Sequence, residues 1–154
     1  MKKVGWKKTL AGILGCEAVG GLAALLCGAG FGKYAAEVAK PPLSPPPAVF
    51  PAVWTALYVL MGIGAARVYA AERDEERKKA LLIFALQLAL NFVWPLFFFG
   101  AEAFGLALLC LLALLILILS MILAYMRVDR PAALMQLPYL VWACFAAYLN
   151  AGVL

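Results

Sequence analysis

The chain has 154 residues, of which 67% are hydrophobic and only 14% charged, and its mean hydropathy is +0.98. Soluble domains carry roughly 45–50% apolar and about 25% charged residues, so this composition excludes an ordinary water-soluble fold and indicates an integral membrane protein. The net charge of +5 comes from short basic clusters between apolar runs, without an extended basic face, and we expect no nucleic-acid partner.

Five apolar runs each approach the ~20 residues that a membrane-spanning helix needs. They cover residues 9–31, 49–71, 79–99, 103–126 and 132–154. We therefore predict an all-α membrane protein, a single domain over residues 1–154 that forms a bundle of five transmembrane helices. The four cysteines form no CxxC pair and histidine is absent, so we predict no metal site.

The first span carries small residues at every fourth position. This small-residue stripe consists of Gly12, Cys16, Gly20, Ala24 and Gly28. Small side chains let a second helix approach closely, either inside one bundle or between two copies of the chain. Glu17 lies in the same span, where an ionisable group is costly. We favour a protonated or snorkelling side chain near the cytoplasmic surface over a ligand-facing carboxylate.

The connection over residues 32–47 is rich in proline, which fixes φ and favours a stiff, extended segment. Such a segment suits a lid over the outer mouth of the bundle, and a rigid spacer without ligand contact is the alternative. Residues 72–79 mix both charge signs, which predicts a solvated cytoplasmic turn.

The second, third and fifth spans each present aromatic side chains at helical spacing, with polar members among them. The three stripes are Phe50, Trp54, Leu57, Tyr58 and Met61; Gln87, Asn91, Trp94 and Phe98; and Tyr139, Trp142, Ala146, Leu149 and Asn150. Amides in lipid must find partners, so they should point into the bundle. Two interpretations remain: interhelical hydrogen bonding with aromatic packing, or a cavity for a flat aromatic ligand. The fourth span is almost pure Leu, Ile and Ala, and we expect it to face lipid.

Four motifs, in order and spacing, resemble the TspO/translocator-protein family over about residues 34–150. They are Lys40-Pro41 with Pro45-Pro46, the run from Phe50 to Tyr58, the run from Leu90 to Trp94 with Phe97-Phe98, and the run from Leu137 to Trp142 with Leu149-Asn150. The resemblance implies a homodimer of five-helix bundles in the lipid bilayer, with a ligand pocket beneath the first loop. It implies protoporphyrin, related tetrapyrroles and benzodiazepine-type molecules as ligands, and no required cofactor.

The matching motifs, with their neighbours on the same helix faces, place nine residues at this pocket. They are Phe50, Trp54, Leu57, Tyr58, Asn91, Trp94, Tyr139, Trp142 and Ala146. The mouth and lid would be formed by Lys33, Tyr34, Lys40, Pro41, Pro45 and Pro46. Without histidine, we expect the porphyrin ring to stack on Trp54 and Trp142, with Asn91 orienting it and Lys33 or Lys40 meeting its propionates.

The sequence departs from the family pattern at three places. Tyr34-Ala35 stands where members commonly have Trp-Tyr, and Pro95 stands where a Ser or Thr is usual. Because proline lacks a backbone donor, we expect Pro95 to kink the third span. The chain has only four residues after Asn150, without the carboxyl-terminal cholesterol segment of animal members, so we expect no dedicated cholesterol function.

Three functions are compatible with these features. The first is a tetrapyrrole-binding membrane protein that acts as a sensor, scavenger or carrier in porphyrin and stress metabolism. The second, which the family resemblance implies, is an enzyme for light- and oxygen-dependent porphyrin breakdown, with Trp54 and Trp142 as the candidate residues. The third is a small secondary transporter, which the lack of an inverted repeat and of a central charged pathway disfavours. No nucleophile or acid–base pair indicates hydrolytic or transfer chemistry.

The basic residues predict the orientation in the membrane. Eleven of the thirteen fall on one side: Lys2, Lys3, Lys7, Lys8, Arg67, Arg73, Arg77, Lys78, Lys79, Arg127 and Arg130. Only Lys33 and Lys40 fall on the other side. The positive-inside rule therefore places the amino terminus in the cytoplasm and the carboxyl terminus outside, in the inner or plasma membrane of the cell.

This orientation is testable with a reporter enzyme that is active only outside the cytoplasm. The reporter should be active when fused after Leu154 and inactive when fused near Glu75, because the basic loops stay in the cytoplasm. Activity only at the second position would show that the bundle inserts the other way round.

Overall fold

The computed structural model describes residues 3–154, and all the regular structure in this range is helical. Lys2, which contributes to the charge count above, lies outside the described residues. Five segments are long and apolar enough to cross a membrane: Trp6–Cys27, Val49–Tyr69, Asp74–Gly100, Phe104–Val128 and Arg130–Ala151. The prediction of an all-α membrane protein with five spanning helices is thereby confirmed.

Within residues 3–154, seven α-helices and one π-helical segment build the bundle. They are α1 (Trp6–Cys27), α2 (Gly30–Glu37), α3 (Val49–Tyr69), α4 (Asp74–Pro95), the π-helical segment (Leu96–Gly100), α5 (Phe104–Val128), α6 (Arg130–Leu134) and α7 (Leu137–Ala151). The regular α-helix of the third span ends at Pro95, which has no backbone donor, and the wider π-helical turn carries the chain onward; the predicted kink stays a prediction.

Two predicted connections were too long. The first span ends earlier than predicted, at Gly28, whose φ of 58° favours glycine, and the short helix α2 follows where the sequence predicted a loop. The second difference is that α4 begins at Asp74, inside the predicted cytoplasmic turn. Its first turn contains three acidic residues, which the positive end of the helix dipole stabilises. A charged sequence at a helix start was therefore misread as a turn.

Helix α1 packs against α3 through the small-residue stripe. A Cβ atom at Gly12 would lie 2.5 Å from the carbonyl oxygen of Gly62, so the two backbones are in direct contact there. Cys16 is buried, and a Cβ at Gly20 would collide with the ring of Tyr58. At these positions the stripe serves packing inside one bundle.

The prediction that the fourth span faces lipid accounts for only one side of this helix. Helix α5 is central to the bundle, and one of its faces is fully buried. That face consists of Ala107, Leu111, Leu114, Ile118, Met121 and Tyr125. The opposite face, which includes Leu109, Ile116 and Leu123, is exposed to the surroundings of the bundle. Composition could not separate the two faces, because lipid-facing and protein-facing residues are equally apolar in a membrane protein.

Basic residues from different helices meet at one end of the bundle. Arg67 on α3 donates two hydrogen bonds to the carboxylate of Asp129, at 3.0 and 3.1 Å. Asp129 also accepts from the backbone N–H of Ala132 at 2.9 Å and so caps α6. At the same end Lys8 lies over the ring of Tyr69. These basic residues, which were counted on one side of the membrane, thus lie at one end of the bundle. That this end faces the cytoplasm stays a prediction.

The glycine contact between α1 and α3 provides a stability test. Gly62→Ala should lower the free energy of unfolding by about 1–3 kcal/mol, because the new Cβ overlaps the backbone of Ile13 and the helices must separate. Gly15→Ala is the matched control, since nothing lies within 4 Å of a Cβ there. Thermal unfolding in detergent measures both variants, and equal midpoints would contradict the close backbone contact.

Candidate functional site

A cavity of about 470 Å³ lies between α1, α3 and α4. Its volume is within the range of about 300–1,000 Å³ that is usual for small-molecule sites. Lining residues come from α1 (Glu17, Gly20, Gly21, Ala23, Ala24, Cys27), the turn after it (Gly28), α2 (Phe31), α3 (Phe50, Pro51, Trp54, Thr55, Tyr58), α4 (Asn91, Trp94, Pro95) and the π-helical segment (Phe99). Several of them, including Gly21, Ala24 and Thr55, are exposed, so the cavity is open at the side of the bundle.

One wall of the cavity is aromatic. The ring of Trp54 lies 5.9 Å from that of Tyr58 and 6.3 Å from that of Trp94, with interplanar angles of 31° and 37°. Behind them, Trp94 stacks on Phe98 at 5.3 Å. Rings with small mutual tilt offer a flat ligand a stacking surface, which favours a planar aromatic molecule over a bulky aliphatic one.

A chain of hydrogen bonds runs behind this wall. The hydroxyl of Tyr58 donates to Oδ1 of Asn91 at 2.5 Å, and Nδ2 of Asn91 donates to the hydroxyl of Tyr139 at 2.8 Å. Tyr139 in turn donates to Oε1 of Gln87 at 2.7 Å. The chain joins α3, α4 and α7, and it holds the Tyr58 side chain and the Asn91 amide in one orientation at the cavity.

A second amide holds the other tryptophan of the wall. Nε1 of Trp94 donates to Oδ1 of Asn150 at 3.1 Å, and Nδ2 of Asn150 donates to the carbonyl oxygen of Phe104 at 2.9 Å. Gln87, Asn91 and Asn150 are all buried. The prediction that these amides point into the bundle and find partners there is confirmed.

Helix α2 packs at one end of the cavity, where Phe31 contributes to its lining. The ring of Phe31 lies 5.3 Å from that of Phe99 and 6.0 Å from that of Phe50, both edge-on. Tyr34 is buried, and its ring contacts Phe98 at 5.1 Å. Aromatic contacts therefore hold α2 (Gly30–Glu37), which covers the first part of the predicted connection, whereas the proline-rich part that follows is not helical.

The proline-rich segment after α2 is held at α3 and α7. The carbonyl oxygen of Pro42 accepts a hydrogen bond from the Tyr148 hydroxyl at 2.6 Å, and the ring of Pro41 packs where Gly152 leaves room. The carbonyl oxygen of Pro46 accepts a hydrogen bond from the backbone N–H of Val49 at the start of α3. Pro41, Pro45 and Pro46 lie outside both cavities of this region, so they act here by positioning the loop.

The two predicted mouth lysines have partners of their own. Lys33 forms an exposed ion pair of 2.5 Å with Glu102, and this hydrogen bond raises the pKa of the lysine. Nζ of Lys40 donates to the carbonyl oxygens of Ala35 and Val38, at 2.8 and 3.3 Å. It also lies 5.2 Å from the ring centroid of Tyr34. Neither lysine lines the cavity, and both make contacts that hold α2 and the segment after it.

The structure divides the predicted pocket residues into three groups. Phe50, Trp54, Tyr58, Asn91 and Trp94 line the cavity. Trp142, Ala146 and Tyr34 instead border a neighbouring crevice of about 10 Å³, too small for a ligand, and Phe50, Trp54 and Trp94 reach both spaces. Leu57 and Tyr139 line neither space, and Tyr139 acts through its hydrogen bond to Asn91.

Sequence reasoning missed the α1 wall of the cavity. The small-residue stripe was the available signal, but it was interpreted as packing only. It packs against α3 at Gly12, whereas Gly20, Ala24 and Gly28 also border open space. Glu17 was expected near the membrane surface, yet it lies halfway along α1 and lines the cavity.

Comparison with known proteins agrees with this architecture. The sequence profile of the TspO/MBR family matches residues 12–154. The chain is 38% identical to the tryptophan-rich protein TspO of Chlorobaculum tepidum, over 79% of this chain and 77% of that protein. It is 39% identical to the translocator protein of Ovis aries, over 80% and 73% of the two chains. It is 37% identical to the tryptophan-rich sensory protein of Cereibacter sphaeroides, over 72% and 68%. This five-helix membrane protein therefore belongs to the TspO/MBR family.

Proposed function

We propose that this protein binds protoporphyrin or a related tetrapyrrole in the cavity between α1, α3 and α4. Its role would be that of a sensor, scavenger or carrier in porphyrin and stress metabolism. The observation that carries the proposal is the laterally open, largely apolar cavity of about 470 Å³ with Trp54, Tyr58 and Trp94 on one wall. The names of relatives, a tryptophan-rich sensory protein and a translocator protein, support the same class of function.

Stacking supplies the main attraction in this proposal. A planar macrocycle against Trp54 and Trp94 buries apolar area on both partners and gains the favourable geometry of offset rings. Benzodiazepine-type molecules would use the same wall, because they are also largely aromatic and apolar. The hydrogen bonds of Asn91 to Tyr58 and Tyr139 keep this wall rigid, which reduces the entropy lost on binding.

The propionates of a porphyrin would reach the outer end of the cavity. Lys33 is bound to Glu102 there, but exposed ion pairs contribute little to stability, so the lysine can exchange its partner at small cost. Lys40 would have to leave two carbonyl oxygens and the Tyr34 ring. Of the two predicted lysines, Lys33 is therefore the better propionate partner.

Photochemical breakdown stays the alternative function. The two tryptophans that the family resemblance nominates for it are differently placed: Trp54 lines the cavity, whereas Trp142 lies behind Phe50, with ring centroids 6.0 Å apart. Only Trp54 lines the cavity in which we propose that the ligand binds, and this difference supports ranking binding ahead of photochemical breakdown. The homodimer implied by the resemblance also stays a prediction.

The proposal predicts unequal effects for the two tryptophans. Trp54→Ala should weaken dark protoporphyrin binding by roughly 1–2 kcal/mol, about five- to thirty-fold, because the ligand loses a stacking ring. Trp142→Ala is the matched control and should bind like the parent, since its ring lies outside the cavity.

Asn91→Ala should also weaken binding, because it frees Tyr58 and Tyr139 from their hydrogen bonds. The double variant Lys33→Gln/Lys40→Gln should weaken binding less.

Quenching of tryptophan fluorescence in detergent measures these affinities in the dark, and illumination follows as a second step. Parent-like affinity of a folded Trp54→Ala protein would place the ligand elsewhere. Irreversible light-dependent loss of the porphyrin band that requires both Trp54 and Trp142 would favour the enzyme over the binding protein.

A further inference from the structure

Glu17 is a carboxylate in the wall of an otherwise apolar cavity. It lies halfway along α1, in the part of the helix that crosses the membrane, and it lines the same space as Trp54 and Tyr58. Glu17 as a whole is partly exposed, but its Oε1 atom is buried and has no hydrogen-bond partner among the described residues. A buried carboxylate oxygen without a partner is costly, so an unsatisfied one at a ligand cavity requires an explanation.

The polar neighbours of Glu17 in the cavity wall are already engaged with one another. The Tyr58 hydroxyl donates to Asn91, the Asn91 amide donates to Tyr139, and the Trp94 indole donates to Asn150. Thr55 donates to the backbone carbonyl of Pro51. None of these donors is directed at Glu17, and over residues 3–154 no lysine or arginine forms an ion pair with it.

The unused acceptor determines which ligands suit the cavity. A planar ligand with an N–H or ammonium group on its edge can stack on the aromatic wall and donate to Glu17 at the same time. A hydrogen bond between charged groups away from water is stronger than one between neutral groups. A neutral aromatic molecule of the same shape gains the stacking but leaves the carboxylate unsatisfied.

We propose that Glu17 is a specificity-determining residue that accepts a hydrogen bond from an N–H or ammonium group of the ligand, so that the cavity prefers planar aromatic amines to neutral aromatics of equal size. The inference rests on the proposed function, because it assumes that planar ligands occupy this cavity. It adds a selection that stacking alone cannot provide, since every aromatic ring has a face that stacks.

Two acridines can separate the contribution of stacking from that of the hydrogen bond to Glu17. Proflavine is a planar fluorescent cation with amino groups on its edge, and acridine has the same three rings but is neutral and has no N–H donor at pH near 8. Their affinities for the detergent-purified full chain are measured in the dark, together with that of protoporphyrin. The wild-type protein should bind proflavine about ten-fold more tightly than acridine, from one additional charge-assisted hydrogen bond.

The variants assign this preference to one residue. Glu17→Gln should lose most of it, because the amide accepts a hydrogen bond but carries no charge, and Glu17→Leu should lose all of it. Glu37→Gln removes one negative charge from the exposed end of α2, outside the cavity, and should keep the wild-type ratio. If Glu17→Leu does not fold, the nearly isosteric Gln variant decides alone.

The outcomes distinguish this inference from the proposed function. Protoporphyrin binding with an unchanged proflavine-to-acridine ratio in both Glu17 variants would overturn the role of Glu17 and leave the cavity as a porphyrin site. Wild-type protein that binds none of the three molecules would overturn both. Loss of the preference in the Glu17 variants, with acridine binding retained, would support the inference, because the stacking wall is then intact.

Discussion

The structure depends on one constraint: polar groups inside a membrane-spanning bundle must satisfy each other, because the bilayer core offers no water. The chain from Tyr58 through Asn91 and Tyr139 to Gln87 meets this constraint and joins α3, α4 and α7. Each link requires its helix face to point inward, so the network selects one rotation for each of the three helices. The aromatic rings on the same faces then come together, and the separate hydrogen bond from Trp94 to Asn150 holds one of them in place.

Helix α1 is attached in a different way, and this difference creates the cavity. It has no amide in the network and approaches α3 through glycine, with backbone contact at Gly12 and Gly62. Further along, Gly20, Gly21 and Ala24 have too little side-chain volume to fill the space in front of Trp54. Short side chains thus bring the helices together at one end and leave room between them at the other. Glu17 lies between these two regions, where a carboxylate reaches the open space.

The sequence predicted what depends on hydropathy and helical spacing. Five spans follow from apolar length, and the stripe through Phe50, Trp54 and Tyr58 follows from periodicity along one helix. The α1 wall did not follow, because small residues indicate a close approach but not where the approach ends. The partners of Lys33 and Lys40 were also missed, since Glu102 is distant in sequence and backbone carbonyls leave no trace in a sequence pattern. Trp142 was predicted at the pocket because it shares a helix face with Tyr139 and Ala146, but its ring packs edge-on against Phe50 and borders the neighbouring crevice instead of the cavity.

The position of a bound ligand tests the central claim most directly. A structure of the protein with protoporphyrin, determined in the dark in a lipid environment, would show which surface the macrocycle occupies. If porphyrin binds in this cavity, its ring should lie between α1, α3 and α4. The ring should pack against Trp54 and Trp94, and the propionates should point toward Lys33. A macrocycle bound in the charged depression of about 530 Å³ near Lys8 and Arg77, or on the exposed face of α5, would contradict it.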